Sequence, residues 1–298
     1  MSSLGDQKGL SLDRLQTLCL VAEKGGVMAA AGGNPNRQSL YSRQLRELEA
    51  FFGAALIDRR QAPHSLTELG RQVEKMARGF FTDLEGLAQQ GESGQVSIVI
   101  GAGESVIQAL LIPALVTGGD TALKLVFRNL QSAAILSGLR NRRLDIGIAH
   151  DAGGHADLKS KRLLRHGVRL ITSDAKLGKL GSVGWEDLKD CSLALPEGDS
   201  ELRRTVAASL EDGHKHPAVV VECTSHAQVV EAVMCKGVAG IVPDFVAHRA
   251  TKRGLHSLGI KELEGYSREL RVLWHPASVE MKPQIEACVR RLVRALKN

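Results

Sequence analysis

Aromatic residues make up only 3% of this 298-residue sequence. Proteins that hold single-stranded nucleic acid stack bases on aromatic side chains, so the shortage argues against that class. Long apolar runs are missing as well. The stretch from Ala109 to Val116 is interrupted by Pro113 and falls far short of the ~20 residues that cross a bilayer. The first ten residues carry Asp6 and Lys8 and no apolar core, so export is not expected and a cytoplasmic location is. Cys19, Cys191, Cys223, Cys235 and Cys288 are odd in number and scattered, with no metal-ligand spacing. They read as reduced thiols, mostly small buried hydrophobes, not as a disulfide framework. The ten histidines are equally dispersed, and His214-Lys215-His216 reads as a polar loop. No metal and no cofactor is expected.

The length suits two domains or more. Hydrophobic content of 43% and charged content of 24% are ordinary for a globular chain. The net charge of +6 is unevenly placed. Residues 1–93 hold 11 Lys+Arg and 11 Asp+Glu, and the remainder holds 28 and 22. Bulk basicity is therefore no argument for nucleic acid; local placement must carry it.

Helical periodicity opens the chain. Leu12, Leu15, Leu18, Cys19 and Ala22 predict a helix from Ser11 to Glu23, stopped by Gly25-Gly26. A short helix follows at 27–31, and then the break Gly32-Gly33-Asn34-Pro35. A third helix is predicted from an Asn36 cap to Phe52, with Leu40, Leu45, Leu48, Phe51 and Phe52 on its buried face. Two helices joined by a Gly-containing turn after a leading helix form a helix-turn-helix layout. Leu56-Ile57 and Ser65-Leu66-Thr67 flank 58–64 as a small hairpin, a wing. Leu69, Val73, Met76, Phe80, Leu84 and Leu87 mark a long helix capped by Thr67; such a stripe needs a partner, of which a second copy is the simplest. Residues 91–94 read as a hinge. Beyond it, strand-like segments alternate with helices: strands at 96–100, 123–127, 144–149, 168–171, 192–195, 218–222, 240–243 and 268–274; helices at 105–116, 132–141, 200–212, 225–236 and 281–296. That alternation predicts a parallel α/β sheet.

The motif Val21-Ala22-Glu23-Lys24-Gly25, Ala30-Ala31, and Arg37 through Glu49 resembles the LysR-type family of transcriptional regulators. So do Phe52-Gly53, Leu56-Ile57-Asp58-Arg59 and Leu66-Thr67-Glu68-Leu69-Gly70. In the second part, Leu144 to Ala149, Leu195-Pro196-Glu197-Gly198 and Gly240-Ile241-Val242-Pro243 are similar to segments of that family's sensor domain. Here Gly26-Val27-Met28 stands where the family usually has Ser-Phe-Thr, and Asn34 replaces a leucine of the turn. The resemblance implies an α/β chain overall: an all-α winged helix-turn-helix at 1–67, a dimerising linker helix and hinge at 68–93, and a two-lobed, periplasmic-binding-protein-like sensor at 94–298. Lobe I covers about 94–165 and 272–298, lobe II about 166–271. It also implies a homotetramer, built as a dimer of dimers.

On that layout the leading end of the third helix enters the major groove. Gln38 can pair with adenine, Arg37 with guanine, and Ser39, Tyr41 and Ser42 lie in reach; Arg43, Arg46, Arg59 and Arg60 suit phosphates. A charged helix face alone is more often only solvated; the ordered turn, helix and wing reverse that judgement. Ligands of open α/β sheets sit beyond strand carboxyl ends. Gly103 and Ser105 after the first sensor strand, Asn129, Gln131 and Ser132 after the second, and Ser200 and Thr224 in the other lobe are therefore candidate effector contacts. The alternative for each Ser or Thr is a helix cap. Glu104 disfavours a simple anion there unless it turns away. Cys223 beside His226 superficially pairs a nucleophile with a base, but no orienting third residue is apparent. The function expected is sequence-specific duplex binding modulated by a small effector. The rivals are a solute-binding protein and an enzyme on the same two-lobed fold.

Overall fold

The computed structural model describes residues 9–58, 65–116, 122–150, 156–198, 201–210, 217–235 and 237–296. By contacts the chain divides into one unit of Met1–Val96 with Arg140–Arg143, and a second of Ser97–Leu139 with Leu144–Asn298.

In the first unit, α1 (Leu12–Lys24) starts at Ser11, whose hydroxyl accepts from the Arg14 N–H at 3.3 Å, and ends at Gly25 with φ 76°. The short α2 (Val27–Ala31) ends at Gly32, and Gly32 and Gly33 both take positive φ, where a side chain is strained. Helix α3 (Pro35–Phe52) begins one turn residue earlier than the expected Asn36 cap. Asn34 is the cap: its side-chain oxygen accepts from Asn36 N at 3.0 Å and Arg37 N at 3.2 Å. Pro35 at the first position has no N–H to leave orphaned and a preset φ. Leu18, Val21, Leu45, Leu48, Leu56, Ile57 and Val73 form the core. Leu40, expected within it, is 40% exposed. Only the C-terminal half of α3 lies over the core; its first two turns overhang it.

Strands β1 (Ile57–Asp58) and β2 (Ser65–Leu66) pair antiparallel, Ile57 against Leu66. Arg59, Arg60 and the rest of the expected wing tip lie outside the described residues. Helix α4 (Glu68–Ser93) starts at Thr67, whose hydroxyl accepts from Gly70 N at 3.0 Å and donates to Ala55 O at 2.8 Å. It runs through the expected hinge at 91–93; the backbone turns left-handed only at Gly94. Val73 is buried, whereas Met76, Phe80, Leu84 and Leu87 are exposed.

The second unit holds two sheets, ordered β4-β3-β5-β13-β6 and β10-β9-β11-β7-β12-β8. The first uses β3 (Val96–Ala102), β4 (Leu123–Asn129), β5 (Ile146–His150), β6 (Lys159–His166) and β13 (Arg268–Trp274). The second uses β7 (Val168–Thr172), β8 (Ser182–Val183), β9 (Ser192–Pro196), β10 (Ala218–Cys223), β11 (Val238–Pro243) and β12 (His256–Ile260). The sheets are mixed and not parallel throughout: β13 is antiparallel to β5 and β6, and β7 to β11 and β12. Strands β6, β8 and β12 escaped the hydropathy reading; β6, Lys-Ser-Lys-Arg-Leu-Leu-Arg-His, is a charged edge strand. The expected helix at 105–116 is α5 (Glu104–Val106), a π turn (Ile107–Leu111) and α6 (Ile112–Leu115). Then come α7 (Ser132–Arg140), α8 (Glu201–Ser209), α9 (His226–Met234) and α10 (Asp244–Thr251). The terminal helix is two pieces, α11 (Pro276–Met281) and α12 (Gln284–Leu296), parted at Pro283. Their junction is held by Lys282, whose Nζ lies 3.0 Å from both oxygens of the buried Asp145 and from Ser97 O. Trp185 and Trp274 are core residues at 4% exposure.

Gly167 alone separates β6 from β7, and so carries the chain from one sheet to the other. It is clamped: its N–H donates to Asp244 Oδ2 at 3.0 Å, and its carbonyl accepts from Asp244 N at 3.2 Å. Because β3, β5 and β6 run in one direction, their carboxyl ends share an edge. Because β7 is antiparallel to β11, with Val168 opposite Pro243, the carboxyl ends of β9, β10 and β11 face the same junction.

The approach of α4 to β1 is testable. A Cβ at Gly70 meets the Leu56 carbonyl oxygen at 2.0 Å. Gly70→Ala is expected to destabilise the first unit by about 1–3 kcal/mol, as forced overpacking does; urea denaturation followed by circular dichroism measures it, and an unchanged midpoint contradicts the packing described.

Candidate nucleic-acid interface and ligand cleft

The overhanging half of α3 is a basic surface without opposing charge. From Pro35 to Arg46 the sequence contains Arg37, Arg43 and Arg46 and no Asp or Glu. Arg37, Gln38, Ser39, Arg43 and Arg46 are exposed, and Tyr41 and Ser42 are half-buried. Arg43 makes only a long contact with Glu47, at 3.9 Å, and Arg46 Nε donates to Ser42 O at 3.2 Å. The N-terminal end also carries the positive end of the helix dipole.

What aims this end is the other half of the helix. Arg14 Nε donates to Glu47 Oε2 at 2.7 Å, and the buried Thr17 hydroxyl donates to Gln44 Oε1 at 2.7 Å, both tying α3 to α1. Glu49 Oε1 accepts from Leu56 N at 3.0 Å and Ile57 N at 3.3 Å, tying it to the hairpin. The hydropathy reading missed these three positioning residues, since nothing in a single sequence separates a bracing glutamate from a solvated one. On α1, where the Cys19 thiol faces Glu74 O of α4, burial pushes its pKa up to about 11, so it is held as an inert thiol.

In the second unit, the predicted ligand contacts fall at strand carboxyl ends. Gly103 precedes α5, and Ser105 is half-buried within it; Asn129 ends β4, and Gln131 and Ser132 are exposed beyond it. Leu130 N donates to Ala102 O at 3.0 Å, joining these two loops. Glu104 is turned to Gln108, whose Nε2 donates to it at 3.2 Å. In the other lobe the Thr224 hydroxyl donates to Gln228 Oε1 at 2.9 Å, and Ser225 caps α9 by accepting from Gln228 N at 3.4 Å. Ser200 lies outside the described residues.

The same junction gathers three histidines that the sequence scatters. His150 ends β5, His166 ends β6 and His226 starts α9. The rings of His150 and His166 lie 5.3 Å apart, and Phe245 packs edge-on against His166 at 5.1 Å. His166 Nδ1 is 3.1 Å from the Gly167 carbonyl, which makes Nδ1 the protonated nitrogen of the neutral ring. Nε2 of His166 and the Nδ1 atoms of His150 and His226 are buried without a hydrogen-bond partner among the described residues. Burial drives all three pKa values down: His150 to about 3, helped by Arg268 and His166, and His226 to about 4, helped by His166. His166 is lowered by burial and raised in part by the Gly167 carbonyl and Asp244. The cluster is therefore uncharged at neutral pH. Among the described residues, no three His, Cys, Asp or Glu side chains are arranged to hold a metal ion.

These shifts set a pH dependence. A histidine whose folded pKa lies below its unfolded value of about 6.5 stabilises the fold above that pH and loses the contribution as pH falls. Between pH 7 and pH 5, chemical denaturation of the second unit is expected to lose about 1–2 kcal/mol for each of His150 and His226, with His166 adding in the same direction. His226→Gln is expected to flatten that dependence; an identical slope in the variant refutes the assignment.

Sequence models of two families match the chain. "Bacterial regulatory helix-turn-helix protein, lysR family" covers residues 12–71, and "LysR substrate binding domain" covers residues 89–297. The chain is similar to an uncharacterized HTH-type transcriptional regulator, YfeR, of Shigella flexneri, with 26% identity over 210 residues, 67% of each chain. Among solved structures, a full-length OxyR variant from Pseudomonas aeruginosa superposes with a TM-score of 0.63 at 19% identity, over 96% of this chain and 95% of that one. DarR of Vibrio fischeri, solved in complex with DNA, superposes with a TM-score of 0.53 at 18% identity, over 93% and 98%. At those identities the likeness is one of fold. The helix-turn-helix with its overhanging basic helix, the two mixed α/β lobes, and family matches over most of the length agree: this chain belongs to the LysR family of DNA-binding transcriptional regulators.

Proposed function

We propose that α3 reads duplex DNA through Arg37, Gln38, Ser39, Tyr41 and Ser42, while Arg43, Arg46, Arg59 and Arg60 hold phosphates. The observation that carries this is the acid-free, exposed half of α3 projecting past its own core. The working division is a DNA-binding part at 1–67, a linker at 68–93 and a sensor at 94–298. The exposed stripe of Met76, Phe80, Leu84 and Leu87 on α4 is the seam with a second copy, so that two recognition helices meet half-sites about one DNA turn apart. A dimer of such dimers, acting in the cytoplasm, completes the reading.

The sensor takes a small effector where the strand carboxyl ends of the two lobes converge. Gly103, Ser105, Asn129, Gln131, Ser132, Ser200 and Thr224 are the contacts assigned to it, and the three uncharged imidazoles, at the ends of β5 and β6 and the start of α9, belong to the same junction. Their orphaned ring nitrogens are costly to leave unpaired, and a ligand supplying hydrogen-bond partners repays that cost. An effector bound better by one arrangement of lobes than another shifts the population of DNA-binding arrangements.

Genome-wide footprinting identifies the operators, and two variants then test the interface on them. Arg43→Ala is expected to weaken binding across sequences and to reduce the slope of log affinity against log salt by about 1. Gln38→Ala is expected to cost about 1–3 kcal/mol and to relax selection at one base. Full affinity in both folded variants rejects the reading. For the seam, Phe80→Asp is expected to shift the protein toward smaller species in analytical ultracentrifugation; an unaltered distribution rejects α4 as the contact.

A further inference from the structure

Beside the strand-end cleft lies a cavity of about 260 Å³ between the α5–π-turn segment of one lobe and α9–α10 of the other. It shares Ser105 with the contacts assigned to the strand-end cleft but none of the imidazoles. Its origin can be traced to Pro113. In the π turn, Ile112 N donates to Ile107 O, so it is spent and unavailable to Gln108 O. The next N–H in register belongs to residue 113, and proline has none. The Gln108 carbonyl is thereby left without a helical donor. Arg249 on α10 fills the vacancy: its Nη1 donates to Gln108 O, a bond between the lobes.

The cavity around this bond carries excess positive charge. Arg253 is matched by Glu231, Nη1 to Oε1 at 2.6 Å and Nη2 to Oε2 at 3.2 Å, so these two cancel. Arg249 and Lys252 remain, with no ion pair among the described residues. Apolar side chains of Val230 and Val246 form part of the lining, each mostly buried. A carboxylate offers a guanidinium an opposite charge and two oxygens in a bidentate geometry, where a single carbonyl offers one neutral acceptor.

We propose that this cavity is a second small-molecule site, for an organic anion with an apolar body. Its carboxylate takes Arg249 from the Gln108 carbonyl, with Lys252 alongside, and its body lies on the valines. Occupancy therefore breaks the inter-lobe bond, which makes the site a regulatory input that acts on the lobes without the imidazoles.

Benzoate is the probe, titrated calorimetrically into the full chain. Binding at millimolar concentration is expected, weakened about tenfold or more by Arg249→Gln and separately by Lys252→Gln. Arg249→Lys, which keeps the charge, is expected to recover part of it. Amide hydrogen exchange over residues 107–115 is expected to rise in benzoate-saturated wild type and in ligand-free Arg249→Gln alike. Absence of benzoate binding overturns the proposal. So does binding that both Gln variants retain in full, which moves benzoate to the strand-end cleft and leaves the regulator reading standing. Exchange unchanged by Arg249→Gln also overturns it.

Discussion

The organising constraint of the sensor unit is a one-residue crossover. Gly167 leaves β6 in the first sheet and enters β7 in the second with nothing between, and Asp244 grips it through both its amide and its carbonyl. A connection this short keeps the end of β6 and the start of β7 side by side. The strands that end at the junction from both lobes must present their carboxyl ends to it. Ligand space, helix N-termini and buried imidazoles follow from that geometry. His166 is the residue before the crossover, so its ring is trapped at the seam, and desolvation keeps it and its neighbours neutral.

The DNA-binding unit solves a similar problem with helices. Leu45 and Leu48 sink the rear of α3 into the core, and Glu47, Gln44 and Glu49 brace it laterally. They transmit the rigidity of α1 and the hairpin to a helical end that has little packing of its own. Precision in a recognition surface comes from such supporting contacts, because side chains on a loosely held helix spend binding energy on being ordered.

Polar residues in the sensor divide by what already holds them. Asp145 accepts from Val99 N and from Lys282, so it is structural; removing one partner of a buried pair of this kind typically costs about 3–5 kcal/mol. Ser225 caps α9, and Thr224 gives its hydroxyl proton to Gln228, so what Thr224 still offers a ligand is an acceptor oxygen. The imidazole nitrogens and the Gln108 carbonyl differ, since neither local helix nor sheet bonding satisfies them. Atoms left unsatisfied by secondary structure are where the fold has capacity to respond to something added.

Local patterns in the chain were enough to place the helix-turn-helix, the long apolar stripe, the alternating lobes and the basic end of α3. Each is written in short-range periodicity, caps and breaks: Ser11 and Gly25 around α1, the Gly32–Pro35 turn, Val73 to Leu87 along α4. Tertiary structure alone decided that Leu40 faces outward, that the sheets are mixed, and that charged β6 is a strand. It alone brought together His150, His166 and His226, and set Arg249 against Gln108. The reason is distance along the chain. Residues separated by sixteen, sixty or more than a hundred positions meet only after the crossovers are made, and no periodicity in one sequence encodes which of ten dispersed histidines will share a seam.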